Sequence, residues 1–242
     1  MTRIGIIGSE GRMGKAIAVA IEDAGCTLAG GIGRGGDVAA LAAASEGLLD
    51  FSSPDATLAN LSAAVGAGIP ILVGATGLTD AHQSEIDKAA KDIAVIRTGN
   101  TSLGVAMLGV LVREAAARLG EDWDIEVVEM HHRNKVDAPS GTALMLARAA
   151  AAGRGETFDE VRVPAREGYT GPRKPGSIGL AALRGGTVAG EHSVIFAGNE
   201  ERIVLSHSAE NRMIFARGAV KAAQWLVGKP AGRYTMPQVL GL

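Results

Sequence analysis

The stretch from Glu129 to Ala143, EMHHRNKVDAPSGTA, gathers the groups of this chain best suited to moving protons and holding anions. An imidazole titrates at about 6.5 when unperturbed, so His131 and His132 can exchange a proton near neutrality. Lys135 adds a fixed positive charge. Pro139-Ser140-Gly141-Thr142 reads as the opening of a helix, whose first N–H groups at Gly141 and Thr142 form an anion site. Metal ligation is the competing use of paired histidines. Neighbouring residues on extended backbone point apart, however, and no cysteine or suitably spaced histidine completes a set, so no metal is expected. The plain alternative is a solvated polar loop with Ser140 as the helix cap.

A second group is Gly8-Ser9-Glu10-Gly11-Arg12-Met13-Gly14, where a strand-like run gives way to a helical one. Glycines there permit a tight turn, let backbone approach a pyrophosphate and pack the helix on the sheet, while the helix start offers N–H groups. The spacing is G-x-x-G-x-x-G rather than the commoner G-x-G-x-x-G, and an ordinary turn would accept the same residues. Gly74-Ala75-Thr76-Gly77 and Thr98-Gly99-Asn100-Thr101 stand at the ends of later strand-like runs. Each alone could be a simple loop. Together with the first they put three small, polar loops on one rim of a sheet, which is where a dinucleotide lies.

The elements that must position these groups follow from hydrophobic patterning. Strands are predicted at Arg3–Ile7, Thr27–Ile32, Leu48–Phe51, Pro70–Val73 and Ile93–Arg97, with helices at Gly11–Ala24, Pro54–Ala67 and Asp80–Lys91. Alternating strands and helices with near-continuous apolar strands imply a parallel, doubly wound sheet covered on both faces. After Asn100 the pattern changes. A helix at Leu103–Leu119, a strand at Ile125–Met130 and a helix at Gly141–Ala152 precede a strand- and turn-rich region from Val161 to Ser208, read as antiparallel or mixed sheet. A last helix, Arg212–Val227, runs into a Gly/Pro-rich tail. The fold class is therefore α/β: a Rossmann-like dinucleotide-binding domain plus an α+β domain with a mixed sheet.

Composition narrows the function. Of 242 residues, 47% are hydrophobic and 21% charged, as in an ordinary globular protein, and 34 glycines are about twice the average usage of roughly 7%. A net charge of −2 gives no reason to expect a nucleic-acid partner. The single cysteine, Cys26, excludes an intramolecular disulfide and is read as a small buried hydrophobe. No signal peptide or run of about 18 apolar residues is apparent, so the chain is expected off the membrane and in the cytoplasm. His82 reads as a surface residue, and His192 and His207 as structural ones.

The run EMHHRNKVDAPSGTA resembles the signature of the 4-hydroxy-tetrahydrodipicolinate reductase (dihydrodipicolinate reductase) family, E-x-H-H-x-x-K-x-D-A-P-S-G-T-A. The likeness extends through GSEGRMG, DFSSPDAT, VGATG, AREGYTG, RGGTVAGEHSVIF, FARGAVKAAQWL and the terminal MPQVLGL. The resemblance implies reduction of a small cyclic dicarboxylate to tetrahydrodipicolinate with NAD(P)H, in lysine and diaminopimelate biosynthesis. It also implies that His131 donates the proton and Lys135 assists protonation and binds substrate. His132, Gly141 and Thr142 would hold the carboxylates. Gly8, Ser9, Glu10, Gly11, Arg12 and Met13 would contact the cofactor, as would Gly74, Ala75, Thr76, Thr98, Gly99, Asn100 and Thr101. Residues 1–101 with 212–242 would form the dinucleotide domain, and 102–211 the substrate domain through which a homotetramer assembles. The competing readings are an aspartate dehydrogenase-like or other imine reductase, which has no need of the full His-His-Lys-Pro-Ser-Gly-Thr run, and a nucleotide-sensing regulator, for which no DNA-reading element is found.

The chain departs from the family pattern in three places, one of them the region between the second and third strands, which is compressed to about Arg34–Gly47. Thr101 stands where the family usually has Phe, which weakens an apolar contact near the nicotinamide. The acidic residue common at the end of the second strand is missing; Gly33 and then Arg34 stand there. A strand-end carboxylate accepts from ribose hydroxyls and repels a 2′-phosphate, whereas Arg34 can pair with that phosphate. NADPH is therefore expected to serve at least as well as NADH, unless Asp37 folds back onto the ribose.

Overall fold

A computed structural model describes residues 1–242. The chain divides into two compact units, Met1–Leu103 with Arg212–Leu242, and Gly104–Asn211.

In the first unit, β1 (Arg3–Ile7), α1 (Arg12–Asp23), β2 (Thr27–Ile32), α2 (Val38–Ala44), β3 (Gly47–Asp50), α3 (Pro54–Ala67), β4 (Ile71–Val73), α4 (Asp80–Ala89) and β5 (Ala94–Arg97) alternate as the patterning requires. β3 and β4 are buried along their whole length and β1 from Ile4 onward, because helices cover both faces of the sheet. Leu41, Leu61 and Ile86 from α2, α3 and α4 share a core with Ile7, Leu48 and Ile71. Fully burying such side chains contributes roughly 1.5–3 kcal/mol each. α1 buries Gly14, Ile17, Ala20 and Ile21, the three- and four-residue spacing of one helix face.

The second unit begins in α5 (Leu103–Leu119) and continues through β6 (Asp124–His131), α6 (Gly141–Gly153), the single turn α7 (Phe158–Val161) and β7 (Arg162–Val163) to β8 (Ile178–Arg184), β9 (Glu191–Ala197) and β10 (Arg202–Ser208). Its five strands lie in the order β10-β9-β6-β8-β7. β9 runs antiparallel to β6 and β10, while β8 is parallel to β6 and β7, so the sheet is mixed. β6 alternates half-buried and buried residues along all eight positions. Its inward face carries Ile125, Val127, Glu129 and His131, and the apolar pair joins a core with Ala143, Leu146, Ala147 and Ala150 of α6.

The chain then returns to the first unit with α8 (Met213–Leu226), β11 (Gly232–Tyr234) and α9 (Met236–Val239). α8 packs on α1, β3 and β4. The segment expected to be a Gly/Pro-rich tail instead supplies an edge strand: β11 pairs in parallel with β5, completing the order β11-β5-β4-β3-β1-β2. Its three residues are too few for a sequence pattern, and only the exposed edge of β5 selects it. α2 was likewise hidden, as a seven-residue Val/Ala/Leu run without helical periodicity, capped by Asp37 accepting from the Ala40 N–H at 3.0 Å.

Candidate active site

β2 lies on one side of β1 and β3 on the other. That strand reversal opens a crevice at the carboxyl ends of the strands. A pocket of about 390 Å³ sits there, lined by Gly8, Glu10, Gly33, Arg34 and Ser52 among others. Gly8 has φ +86°, a conformation side chains rarely adopt, and a Cβ on Gly14 would lie 2.3 Å from the Gly8 carbonyl oxygen. Both positions therefore need glycine, one for the turn and one for the approach of α1 to the loop. Gly8 and Ser9 donate their N–H groups to the Ile32 carbonyl at 2.9 and 3.1 Å, fastening the loop to the end of β2. Gly11 caps α1 without a side-chain bond, so the start of this helix is not covered by its own cap.

Asp50, fully buried at the end of β3, shapes the opposite wall. It accepts from Ser52 Oγ at 2.6 Å, Ser52 N–H at 3.0 Å and Asn60 Nδ2 at 3.0 Å. Gly74 continues the cradle, since a Cβ there would meet the Phe51 ring at 2.6 Å. Other sequence-selected residues of the first unit differ in what they expose. Arg12, Arg34, Thr76 and Gly99 are exposed, Met13 is half-buried, and Ala75 is turned into the core. Thr98 Oγ1 donates to the Asn100 carbonyl at 2.7 Å, and Asn100 Oδ1 accepts from the Ser102 N–H at 2.8 Å, so this loop is braced from within. Thr101 is buried and its hydroxyl donates to the Phe215 carbonyl at 2.7 Å. Its side chain is thereby engaged with the start of α8. Asp37 is engaged as the cap of α2.

In the second unit the strand period brings the chemistry together. Glu129 and His131, two apart on β6, share its inward face. Pairing sets His192 of β9 opposite Glu129 and Arg184 of β8 opposite His131. His131 Nδ1 lies 2.6 Å from Glu129 Oε2. An ionised carboxylate only accepts, so Nδ1 carries the hydrogen and Nε2 is the nitrogen free to exchange a proton. A Cβ on Gly190 would stand 3.0 Å from that Nε2, so glycine keeps the nitrogen uncrowded. Arg184 forks onto Glu129 at 2.8 and 2.9 Å, and the Ser140 N–H donates to Oε1 at 3.0 Å. Burial pushes the Glu129 carboxyl up, but bonds from Arg184, His131 and Ser140 outweigh it and hold the group below the ordinary carboxylate range.

Ser140 joins this centre to α6. Its Oγ accepts from the Ala143 N–H at 3.1 Å as the helix cap and lies 3.0 Å from His192 Nε2. The His192 and His131 rings meet edge to face at 5.1 Å. Burial, then the adjacent charge of His131, pushes His192 down to about 4. Lys135 donates to Asp137 Oδ1 at 2.7 Å and holds that carboxyl low. His132, Gly141 and Thr142 lie on the same loop and first helical turn, His132 and Thr142 half-buried and Gly141 exposed. No group of three His, Cys, Asp or Glu side chains gathers as a metal site.

Sequence motifs alone give Glu129 and Arg184 no role of their own and leave His192 a structural residue. The alternation of β6 would have selected Glu129 as a charge on an apolar face; Arg184 and His192 needed the strand register. His82 proves more than a surface residue: its Nδ1 receives the Thr79 N–H at 3.1 Å, capping α4.

Comparisons with known proteins agree with this architecture. Residues 2–101 match the family model for the dihydrodipicolinate reductase N-terminus, and residues 104–240 that for its C-terminus. The 4-hydroxy-tetrahydrodipicolinate reductase of Zymomonas mobilis is 55% identical over 247 residues, covering 99% of this chain and 97% of the relative. That of Caulobacter vibrioides is 52% identical over 250 residues with the same coverage. A dipicolinate-bound dihydrodipicolinate reductase from Paenisporosarcina sp. TG-14 superposes with a TM-score of 0.75 at 19% identity, covering 97% of both chains, which supports the fold. The chain belongs to the dihydrodipicolinate reductase family.

Proposed function

We propose that His131 donates the proton and Lys135 binds and polarises substrate in the reduction of 4-hydroxy-tetrahydrodipicolinate to tetrahydrodipicolinate, the family's reaction in lysine and diaminopimelate biosynthesis. The observation that carries the assignment is the His131–Glu129–Arg184 array, with its bonds of 2.6 to 2.9 Å. Glu129 fixes the ring and stabilises the imidazolium, so Nε2 delivers its proton from a set orientation. His132, Lys135 and the N–H groups of Gly141 and Thr142 serve the two carboxylates, for which a point charge and a helix start are suited.

The glycine cradle of the first unit fits a dinucleotide: Gly8, Gly14 and Gly74 leave spaces that a Cβ would fill. When bound, reduced nicotinamide supplies the hydride. Gly8–Met13, Gly74–Thr76 and Thr98–Thr101 would hold it, the Thr101 hydroxyl bracing its own loop against α8. Arg34, exposed on the pocket wall, favours NADPH at least as well as NADH. Leu183 and Val204, about half exposed on the second sheet, are in keeping with a homotetramer formed there. No helix is long and apolar enough to cross a membrane, and a biosynthetic role is consistent with the cytoplasm.

The test follows nicotinamide absorbance while a coupling synthase makes the substrate from pyruvate and aspartate semialdehyde. The parent should turn over, and His131→Gln should lose about 10²–10⁴-fold in kcat while keeping its cofactor Kd. Turnover within a fewfold of the parent would remove His131 from the role.

A further inference from the structure

β2 ends at Ile32, and the carboxyl of Glu10, from another loop, lies against the bare Gly33 that follows it. Residues 31 and 33 alternate onto one side of β2, and both are glycine. A Cβ on Gly31 would lie 2.6 Å from Ser9 Cβ, and one on Gly33 would lie 2.6 Å from both Cδ and Oε2 of Glu10 and 2.8 Å from its Oε1. The bare strand end thus accommodates the first loop, and the Glu10 carboxyl sits where a side chain of residue 33 would begin. The bonds from Gly8 and Ser9 to the Ile32 carbonyl hold the loop in that register. Glu10 and Arg34 are the only ionisable residues lining the pocket, and both are exposed. Asp37 is occupied in capping α2.

We infer that Glu10 is a specificity-determining residue of this chain, accepting the adenosine ribose hydroxyls of NADH in place of the absent strand-end acid. The inference rests on the dinucleotide reading above. Glu10 and Arg34 then act in opposite senses on one subsite. The carboxylate favours the free diol and repels a 2′-phosphate, and the guanidinium favours the phosphate. A site carrying both admits both cofactors, and each residue can be removed separately. Since both side chains are exposed, neither substitution threatens the fold.

Calorimetric Kd values for NADH and NADPH distinguish the possibilities without reference to turnover, in the parent, Glu10→Ala, Glu10→Gln and Arg34→Ala. Glu10→Ala should weaken NADH roughly tenfold or more, the scale of a charge-assisted hydrogen bond, and tighten NADPH. Glu10→Gln keeps an acceptor but not the charge, so it should tighten NADPH while weakening NADH less. Arg34→Ala should weaken NADPH alone. An unchanged NADH-to-NADPH ratio in both Glu10 variants, with the parent binding both, overturns the assignment and leaves the dinucleotide reading standing. A parent that binds neither overturns both.

Discussion

Replacing Glu129 by glutamine isolates what its charge does. Its two oxygens receive four hydrogen bonds: Ser140 N–H and Arg184 Nη2 on Oε1, Arg184 Nη1 and His131 Nδ1 on Oε2. A glutamine amide has one oxygen, so either orientation turns its NH₂ toward two donors. If that NH₂ faces His131, the ring must present a bare Nδ1 to accept, and the imidazolium is disfavoured. If it faces Ser140, the ring keeps its acceptor but loses its counter-charge. Each outcome removes at least one hydrogen bond to a charged group, about 1.5–3 kcal/mol, which corresponds to roughly ten- to a hundredfold in kcat. Steady-state rates across the neutral range, together with cofactor Kd and Tm, form the assay. The expected result is a loss in kcat throughout the neutral range and an unchanged cofactor Kd. Arg184, which pairs with Glu129, and His192, edge-on to the ring, cannot substitute for the lost anion. A lowered Tm with kcat and its pH profile within about twofold of the parent would refute the reasoning, leaving Glu129 a purely structural residue.

Three further outcomes are expected. Lys135→Met should raise the substrate KM and lower kcat with cofactor Kd little changed, because a point charge beside two carboxylates serves ground and transition states alike; a normal KM would remove Lys135 from the site. Arg34→Ala should lower kcat/KM for NADPH and not NADH, by a factor that shrinks as salt is added, and equal losses for both cofactors would argue against a phosphate contact. His192, pushed down to about 4, binds fewer protons folded than unfolded, so its contribution is complete above about 6.5 and is lost as pH falls toward 4, a change of up to about 3 kcal/mol. His192→Asn should flatten the dependence of urea midpoints on pH across that window, leaving a smaller slope from His207, which burial also pushes down; the same slope in both proteins would exclude His192 as its source. Glu126 and Glu129, both held low, begin to lose their contribution only near 4.5, so the slope above about 5 belongs to the histidines.

Much of the fold was legible because its signals are local. The apolar runs at Ile4–Ile7, Leu48–Leu49 and Ile71–Val73 can only be strands buried on both faces, and the loops between them carry the glycines a turn demands. What was hidden depends on distant partners. β11 is a strand only because β5 has an open edge. Glu129 is unremarkable among the charged residues of the chain until β6 is seen to alternate, and Arg184 becomes its partner only through the β6–β8 register. Thr101 belongs to a cofactor loop by sequence, yet its hydroxyl is drawn to a carbonyl 114 positions away. Glu10 was selected as a loop residue, and the significance of its carboxyl depends on the emptiness of Gly33.

The two units solve their chemical problems by different physical means. The first is built for shape. Gly8, Gly14 and Gly74 matter because they have no side chain, and the loops they form offer backbone N–H groups whose strength does not depend on pH. Substitutions there should act by steric exclusion, with effects on cofactor Kd that salt scarcely alters; Glu10 and Arg34, which add charge to that shape, are the exceptions. The second is built for charge on a rigid support. Glu129 and His131 stand on a strand paired on both sides, and Ser140 ties them to the start of α6. A ring carried on such a strand and held by a buried carboxylate loses little entropy on reaching its working orientation. A conservative exchange such as Glu129→Gln, nearly silent in shape, is therefore severe in the second unit, while a change of one methyl group such as Gly14→Ala is severe in the first.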